Sequence, residues 1–185
     1  MPLSRATKDV DLLGRLDNSL ENLARVVGEV CTTEVDPDGM VFDRATVKTE
    51  RIKQDADYEG VRVRFVGLLG KARAVMQIDV GFGDVVTPGA ETITYPSLLD
   101  FPAAILAGYP RETVVAEKFQ AMVYLRTANS RMKDFYDVWL LASQFPFDGS
   151  VLAKAVTATF ANRETTISIP LRSHLPRTSQ ISHRR

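Results

Sequence analysis

The feature of this sequence that most constrains its fold is a change of hydrophobic period across a segment rich in proline and glycine. Residues 61–65 read Val-Arg-Val-Arg-Phe, an alternation of apolar and basic side chains that is typical of a half-exposed β-strand. After residues 88–110, the punctuated segment, apolar residues recur every three or four positions, as they do in helices. The sequence therefore predicts an α+β fold, in which a mixed twisted sheet is followed by a helical half.

The first half is predicted to hold one helix and several strands. Residues 18–30 have apolar side chains at helical spacing, behind cap residues such as Ser19. The turn sequence Asp-Pro-Asp-Gly at 36–39 precedes predicted short strands at 40–42 and 46–52. These strands, with those predicted at 9–14, 61–65 and 72–80, supply the predicted sheet.

The second half is predicted to hold three helices, at residues 112–126, 130–143 and 150–160. In the second of them four apolar residues fall at i, i+3, i+4 and i+7, and we expect these to form one core face: Phe135, Val138, Trp139 and Ala142.

These patterns divide the chain into four parts. We expect residues 1–87 to form the sheet core, 88–110 a connector across the surface and 111–169 the helical half. Residues 170–185 are basic and rich in Ser, Pro and His, which predicts a disordered tail or, alternatively, an arm that touches nucleic acid.

Composition excludes several classes of function. The chain has 185 residues, with 23 Lys and Arg against 23 Asp and Glu, so its net charge of zero gives no general attraction to duplex DNA. Its one cysteine, Cys31, excludes an internal disulfide and a Cys-x-x-Cys zinc site. Its two histidines, His174 and His183, both lie in the tail and leave little for histidine catalysis. No segment reads as a signal peptide or membrane span, so we expect a cytoplasmic protein.

Three carboxylates stand out by their settings. Asp9 and Asp11 are two residues apart in a predicted strand, so they point to one face, and Asp79 interrupts the apolar strand at residues 75–80. A carboxylate in an apolar strand is costly unless it is paired or metal-bound. If the two strands are neighbours, all three could bind divalent cations and serve phosphoryl transfer, although an isolated Asp-x-Asp can also be a turn or a cap.

The helical half carries the complementary charges. Lys118 lies among apolar residues, so it is either a snorkelling structural lysine or a cation for triphosphate oxygens. Arg131, Lys133, Asp134 and Asp137 cluster at the start of the next helix, where Asp134 and Asp137 share a face. A solvated face and compensation of the helix dipole are the alternative interpretations.

Three segments together resemble a known family: RATKDVDLLG, MQIDVGFGD and ETVVAEKFQAMVYLRTANSRMKDFYDVWLLA. In this order they are similar to the AbiEii/AbiGii-type nucleotidyltransferase toxins, over residues 5–169. The resemblance implies a polymerase-β-like nucleotidyltransferase fold that uses Mg²⁺ and a nucleoside triphosphate. It also implies a toxin with a cognate antitoxin, a link to phage defence, and an acceptor that in some relatives is the end of tRNA.

The resemblance also assigns roles. Asp9, Asp11 and Asp79 would bind the metal, with Asp9 and Asp11 also catalytic, and Lys118 would contact nucleotide phosphate. Arg131 and Lys133 are further candidates for phosphate contacts. Asp134 would be the helical aspartate needed for activity, with Asp137 as its nearest competitor.

One part of the family pattern is missing from this sequence. The Gly-Ser helix start that precedes the Asp-x-Asp pair in the family would lie before Met1, and the basic tail does not resemble the family, so we expect a chain truncated at both ends. The alternatives to an active transferase are an inactive relative that binds antitoxin or RNA, and a metal-dependent nuclease.

Overall fold

The structure, a computed structural model, describes residues 9–54, 58–97, 100–126 and 129–166. The predicted tail at 170–185 lies outside these residues, as do residues 5–8 of the first family motif. Within the described part, the chain forms an α+β fold with a four-stranded sheet, a two-stranded sheet and four helices, which confirms the predicted fold class.

The larger sheet is mixed and has the strand order β1-β4-β3-β2. Its strands are β1 (Val10–Gly14), β2 (Met40–Gln54), β3 (Tyr58–Leu69) and β4 (Ala72–Phe82). The last three form an antiparallel meander, and β1 adds to its edge in parallel with β4. Strands β1 and β4, the first and last of this sheet in chain order, are therefore neighbours.

Helix α1 (Leu20–Val30) covers one face of this sheet. Its Ser19 cap accepts a hydrogen bond from the backbone N–H of Asn22 at 3.3 Å, which satisfies a donor that the first helical turn leaves open. The buried side of the helix packs on alternate residues of the strands, and together they form the core: Leu23, Val27, Val61, Val63, Phe65 and Val80. The residues that alternate with these in β3 and β4, such as Arg62 and Asp79, lie on the opposite face of the sheet.

The two short strands predicted at 40–42 and 46–52 are one long strand. Strand β2 pairs with β3 over residues 40–43 and again over 48–54, and the register shifts between Asp43 and Lys48. The irregularity is fixed by Thr46, whose hydroxyl accepts a hydrogen bond from the backbone N–H of Val66 at 2.9 Å. The break in the sequence pattern therefore marks a bulge rather than the end of a strand.

The segment predicted as a connector contains a hairpin. Strands β5 (Glu91–Tyr95) and β6 (Ala104–Gly108) pair antiparallel as a separate sheet. Both strands are largely exposed.

The helical half comprises α2 (Arg111–Leu125), α3 (Met132–Gln144) and α4 (Gly149–Asn162). Helices α2 and α4 share a small core around Ala116, Ala155 and Phe160, where the rings of Phe119 and Phe160 lie 5.5 Å apart. All three predicted helices of this half are confirmed within one or two residues at each end. No helix in the described ranges is both long and apolar enough to span a membrane.

The core face predicted for α3 is wrong. Phe135 and Trp139 are 46% and 55% exposed, Ala142 is exposed and Val138 is only half-buried. The buried residue of this helix is Asp134, which is fully inaccessible. Helix α3 turns its charged side toward α2, because Asp134 and its neighbours bind a lysine there.

Candidate functional site

An acidic triad lies on the face of the sheet opposite α1. The parallel pairing of β1 with β4 places Asp11 directly beside Asp79, and Asp9 lies two residues earlier on the same side. One carboxylate oxygen from each residue lies within 4.8 Å of the others. The structure therefore brings together the three carboxylates that the sequence singled out.

Asp79 is bound by an arginine that the sequence did not single out. Arg62 stands opposite Asp79 in the β3–β4 register, its Nε 2.8 Å from Oδ1 and its Nη2 2.7 Å from Oδ2. This hydrogen bonding and the negative charge of Asp79 raise the pKa of Arg62. These two parallel hydrogen bonds form a fork that offsets the cost of placing a carboxylate that is only 8% exposed in an apolar strand.

The alternating sequence of β3 contained a weak signal for this contact. It placed Arg62 and Arg64 on one face but gave no reason to prefer either as the partner of Asp79. The register decides, since Arg64 stands opposite Gln77 and hydrogen-bonds to its side-chain oxygen at 3.1 Å.

Asp11 experiences the charges of both halves of the protein. Its pKa is raised, first because the carboxylate is desolvated and then because Asp9 and Asp79 repel its negative charge. The positive charges of Lys133 and Lys118 act in the opposite sense and lower this pKa. Two lysines of the helical half therefore lie close enough to the triad to influence it.

A second charged cluster joins α2 to α3. Lys118 of α2 places its Nζ 2.8 Å from Asp137 Oδ2 and 3.4 Å from Asp134 Oδ1. Arg131, just before α3, approaches the other side of Asp134, with Nε 2.9 Å from Oδ2. Four of the five charged residues predicted in this region thus form one network, whereas Lys133 is exposed on the adjacent surface.

A third charged cluster connects the end of the sheet to the helices. Arg163, which follows α4, lies 2.8 Å from Asp84 and 2.9 Å from Glu117 through its Nη2. Tyr109 donates a hydrogen bond from its hydroxyl to Asp84 at 3.0 Å, and Thr113 donates to the backbone carbonyl of Thr87 at 2.8 Å. These contacts hold α2 and α4 beside the segment that leaves β4, and so fix the helical half relative to the triad.

Glu117 makes this junction sensitive to pH. Burial raises its pKa above the usual value of 4.5, and the charge of Asp84 adds to this rise, while Arg163 partly opposes it. A carboxyl group whose pKa is raised by folding contributes stability below the unfolded pKa, and this contribution is lost as the pH rises through the folded pKa.

Replacing Glu117 with glutamine should therefore change the pH dependence of stability. We expect the free energy of unfolding of the wild type to fall relative to E117Q as the pH rises above about 4.5, and to level off above the raised pKa of Glu117. Urea unfolding at steps across this range measures the difference. Glu112→Gln, on the same helix, is the control, and parallel pH profiles for wild type and E117Q would contradict the prediction.

The donors of the triad suit a hard divalent cation. Carboxylate oxygens are the ligands that Mg²⁺ and Mn²⁺ take in proteins, together with phosphate oxygens of a substrate. The three carboxylates are close enough to share one ion, and partly exposed Asp9 and exposed Asp11 leave it accessible from solvent. The residues present therefore fit a cation of this class.

The family comparison agrees with the sequence resemblance. Residues 1–183 match the family described as nucleotidyl transferase AbiEii toxin, type IV toxin–antitoxin system. A solved H. pylori protein, described as a candidate nucleotidyltransferase, is similar with 16% identity and a TM-score of 0.46, over 88% of this chain and 63% of that one. JHP933 from Helicobacter pylori is similar with 15% identity and a TM-score of 0.47, over 86% of this chain and 64% of that one. No curated protein matches.

This chain therefore spans slightly less than two thirds of the length of either solved structure. The family match, in contrast, extends over nearly all of its residues and includes the acidic triad and the Lys118 network. The chain belongs to the AbiEii nucleotidyltransferase toxin family of type IV toxin–antitoxin systems.

Proposed function

We propose that this protein transfers a nucleotide from a nucleoside triphosphate to an RNA, such as tRNA, or to a protein, in a Mg²⁺-dependent reaction. The toxin–antitoxin class of the family supports a cognate antitoxin as its partner and a cytoplasmic role in toxin–antitoxin biology or phage defence. The observation that carries the proposal is the convergence of the three carboxylates of Asp9, Asp11 and Asp79 on one face of the sheet.

Asp9, Asp11 and Asp79 are the residues that would hold the cation. When bound, Mg²⁺ neutralises negative charge on phosphate oxygens and so favours attack at the α-phosphate. The carboxylates would hold it near the start of β1, and Arg62 keeps Asp79 in place.

Lys118, Lys133 and Arg131 are the residues that would bind the triphosphate. The charges of both lysines reach Asp11, so a polyanion bound between them and the triad would be neutralised from both sides. The exposed position of Lys133 leaves its ammonium group accessible to a phosphate.

Asp134 is better suited to orienting these cations than to accepting a proton. Its carboxylate side chain is only 1% exposed, with Lys118 on one side and Arg131 on the other. A general base needs access to the hydroxyl group that it deprotonates, and a fully buried carboxylate lacks such access. We therefore infer that Asp134 and Asp137 fix the direction of Lys118.

Incubation of the purified chain with Mg²⁺, each α-labelled nucleoside triphosphate and total tRNA tests the proposal. We expect label to appear in the RNA or the protein fraction, and Asp9→Ala to abolish this transfer. Asp36→Ala removes an exposed carboxylate outside the triad and should transfer label at the wild-type rate.

The assay also separates the other two hypotheses. Cleavage of RNA without any nucleoside triphosphate would overturn the proposal in favour of a nuclease. Retention of RNA or antitoxin without transfer or cleavage would overturn it in favour of a binding protein that has lost the activity.

A further inference from the structure

Arg62 binds both oxygens of a proposed metal ligand. Its guanidinium group lies in a two-point fork on Asp79, with both distances between 2.7 and 2.8 Å. The two side chains are 27% and 8% exposed, so the pair is largely shielded from competing water. Such an arginine–carboxylate fork is geometrically more restrictive than a single ion pair.

The fork limits how Asp79 can bind anything else. A carboxylate has about four lone-pair positions on its two oxygens, and a bidentate arginine occupies one on each. Gln77 approaches Oδ2 with its side-chain nitrogen at 3.4 Å. Oδ1 therefore retains the more accessible lone pair, and the carboxylate is poorly placed to offer both oxygens to one cation.

Divalent cations differ in their demand for two-oxygen coordination. Ca²⁺ takes six to eight oxygen ligands and accepts a carboxylate through both oxygens, whereas Mg²⁺ requires near-ideal octahedral geometry. The two oxygens of one carboxylate lie too close together to fill two corners of an octahedron. A carboxylate restricted to one oxygen therefore disfavours Ca²⁺ more than it disfavours Mg²⁺ or Mn²⁺.

We propose that Arg62 is a positioning residue that restricts Asp79 to one-oxygen coordination and so makes the triad select Mg²⁺ or Mn²⁺ over Ca²⁺. This inference rests on the proposed role of the triad as a cation site. Arg62 is not a metal ligand itself and acts only through Asp79.

Arg62 also adds one positive charge beside three carboxylates. Removing it should strengthen the attraction for every divalent cation to a similar extent, because this effect depends on charge rather than on coordination. The ratio of the Mn²⁺ and Ca²⁺ affinities cancels the shared charge effect. A change in this ratio therefore measures the effect of the two-point hydrogen bonding between Arg62 and Asp79.

Titration calorimetry of the full chain with Mn²⁺ and with Ca²⁺, without nucleotide, provides the test. We expect the wild type to prefer Mn²⁺, and Arg62→Gln to reduce that preference about tenfold, equivalent to about 1.4 kcal/mol. Arg62→Lys keeps the charge but not the fork, so it should also lower the preference. Arg64→Gln removes an arginine on the same face that contacts Gln77 and Glu50 instead, and should keep the wild-type ratio.

Two results would overturn the inference: an unchanged ratio in Arg62→Gln, or an equal fall in Arg64→Gln. If Arg62→Gln does not fold, as judged by circular dichroism, Arg62→Lys carries the same comparison. Failure of the wild type to bind either cation would instead overturn the proposed cation site, so the two failures are distinguishable.

Discussion

Replacing Asp11 with asparagine is expected to lower nucleotide transfer by about a hundredfold or more while leaving the protein at least as stable as the wild type. Asn keeps the shape of the side chain but removes a charged ligand from the triad. The loss of activity follows if the cation is held by three carboxylates. The stability follows from the repulsion between those carboxylates.

This repulsion contributes to the raised pKa of Asp11. Its pKa is raised by desolvation and by the charges of Asp9 and Asp79. A carboxyl group with a raised pKa in the folded state loses its stabilising contribution as the pH rises through that value, so ionised Asp11 costs stability at neutral pH. Asp11→Asn removes this cost and should flatten the pH profile above about pH 4.

Thermal or urea unfolding with and without Mn²⁺ measures both effects. For the wild type, a cation at about 100 times its dissociation constant should add about 2.7 kcal/mol to the free energy of unfolding, and Asp11→Asn should lose most of this gain. Asp36→Asn, with an exposed carboxylate outside the triad, should respond to Mn²⁺ as the wild type does. An Asp11→Asn protein that transfers nucleotide at the wild-type rate would contradict the prediction.

The acidic triad could be predicted because its members are unusual within their own segments. Asp79 is a charge inside an apolar strand, and Asp9 and Asp11 have the two-residue spacing that places side chains on one face. The pairing of β1 with β4 joins residues that are 68 positions apart in the sequence, such as Val10 and Ile78, and only the resemblance to the family indicated it.

The partners of these charges could not be predicted from sequence. Arg62 and Arg64 are equivalent in the alternating pattern, and only the register of β3 with β4 places one of them against Asp79. The same is true of helix α3. Its apolar residues do lie on one side of the helix, but periodicity does not indicate which side packs against a neighbouring element. The Lys118 network places the charged side against α2.

The sequence left two interpretations open for Lys118: a structural lysine or a cation that binds the triphosphate. The structure shows that its ammonium group pairs with two carboxylates of α3. Its Nζ is bound to Asp137 and lies near Asp134, so it neutralises two carboxylates that are 15% and 1% exposed. Lys118→Met should cost about 3 kcal/mol of stability, because it removes the ammonium group that neutralises these two carboxylates. Lys154→Met, at an exposed position of α4, should cost little.

A double variant separates the structural role of Lys118 from the catalytic one. Lys118→Met with Asp137→Asn removes one charge of each sign and leaves the Arg131–Asp134 pair, so we expect most of the lost stability to return. If Lys118 also binds the triphosphate, nucleotide transfer by the double variant should remain at least about a hundredfold below the wild type. The reason is that the ammonium group of Lys118 is still absent even when stability has returned. Urea unfolding and label transfer on the same preparations measure both quantities. Recovery of transfer together with stability would show that Lys118 serves only to hold α2 and α3 together, and the role in phosphate binding would then fall to Lys133 and Arg131.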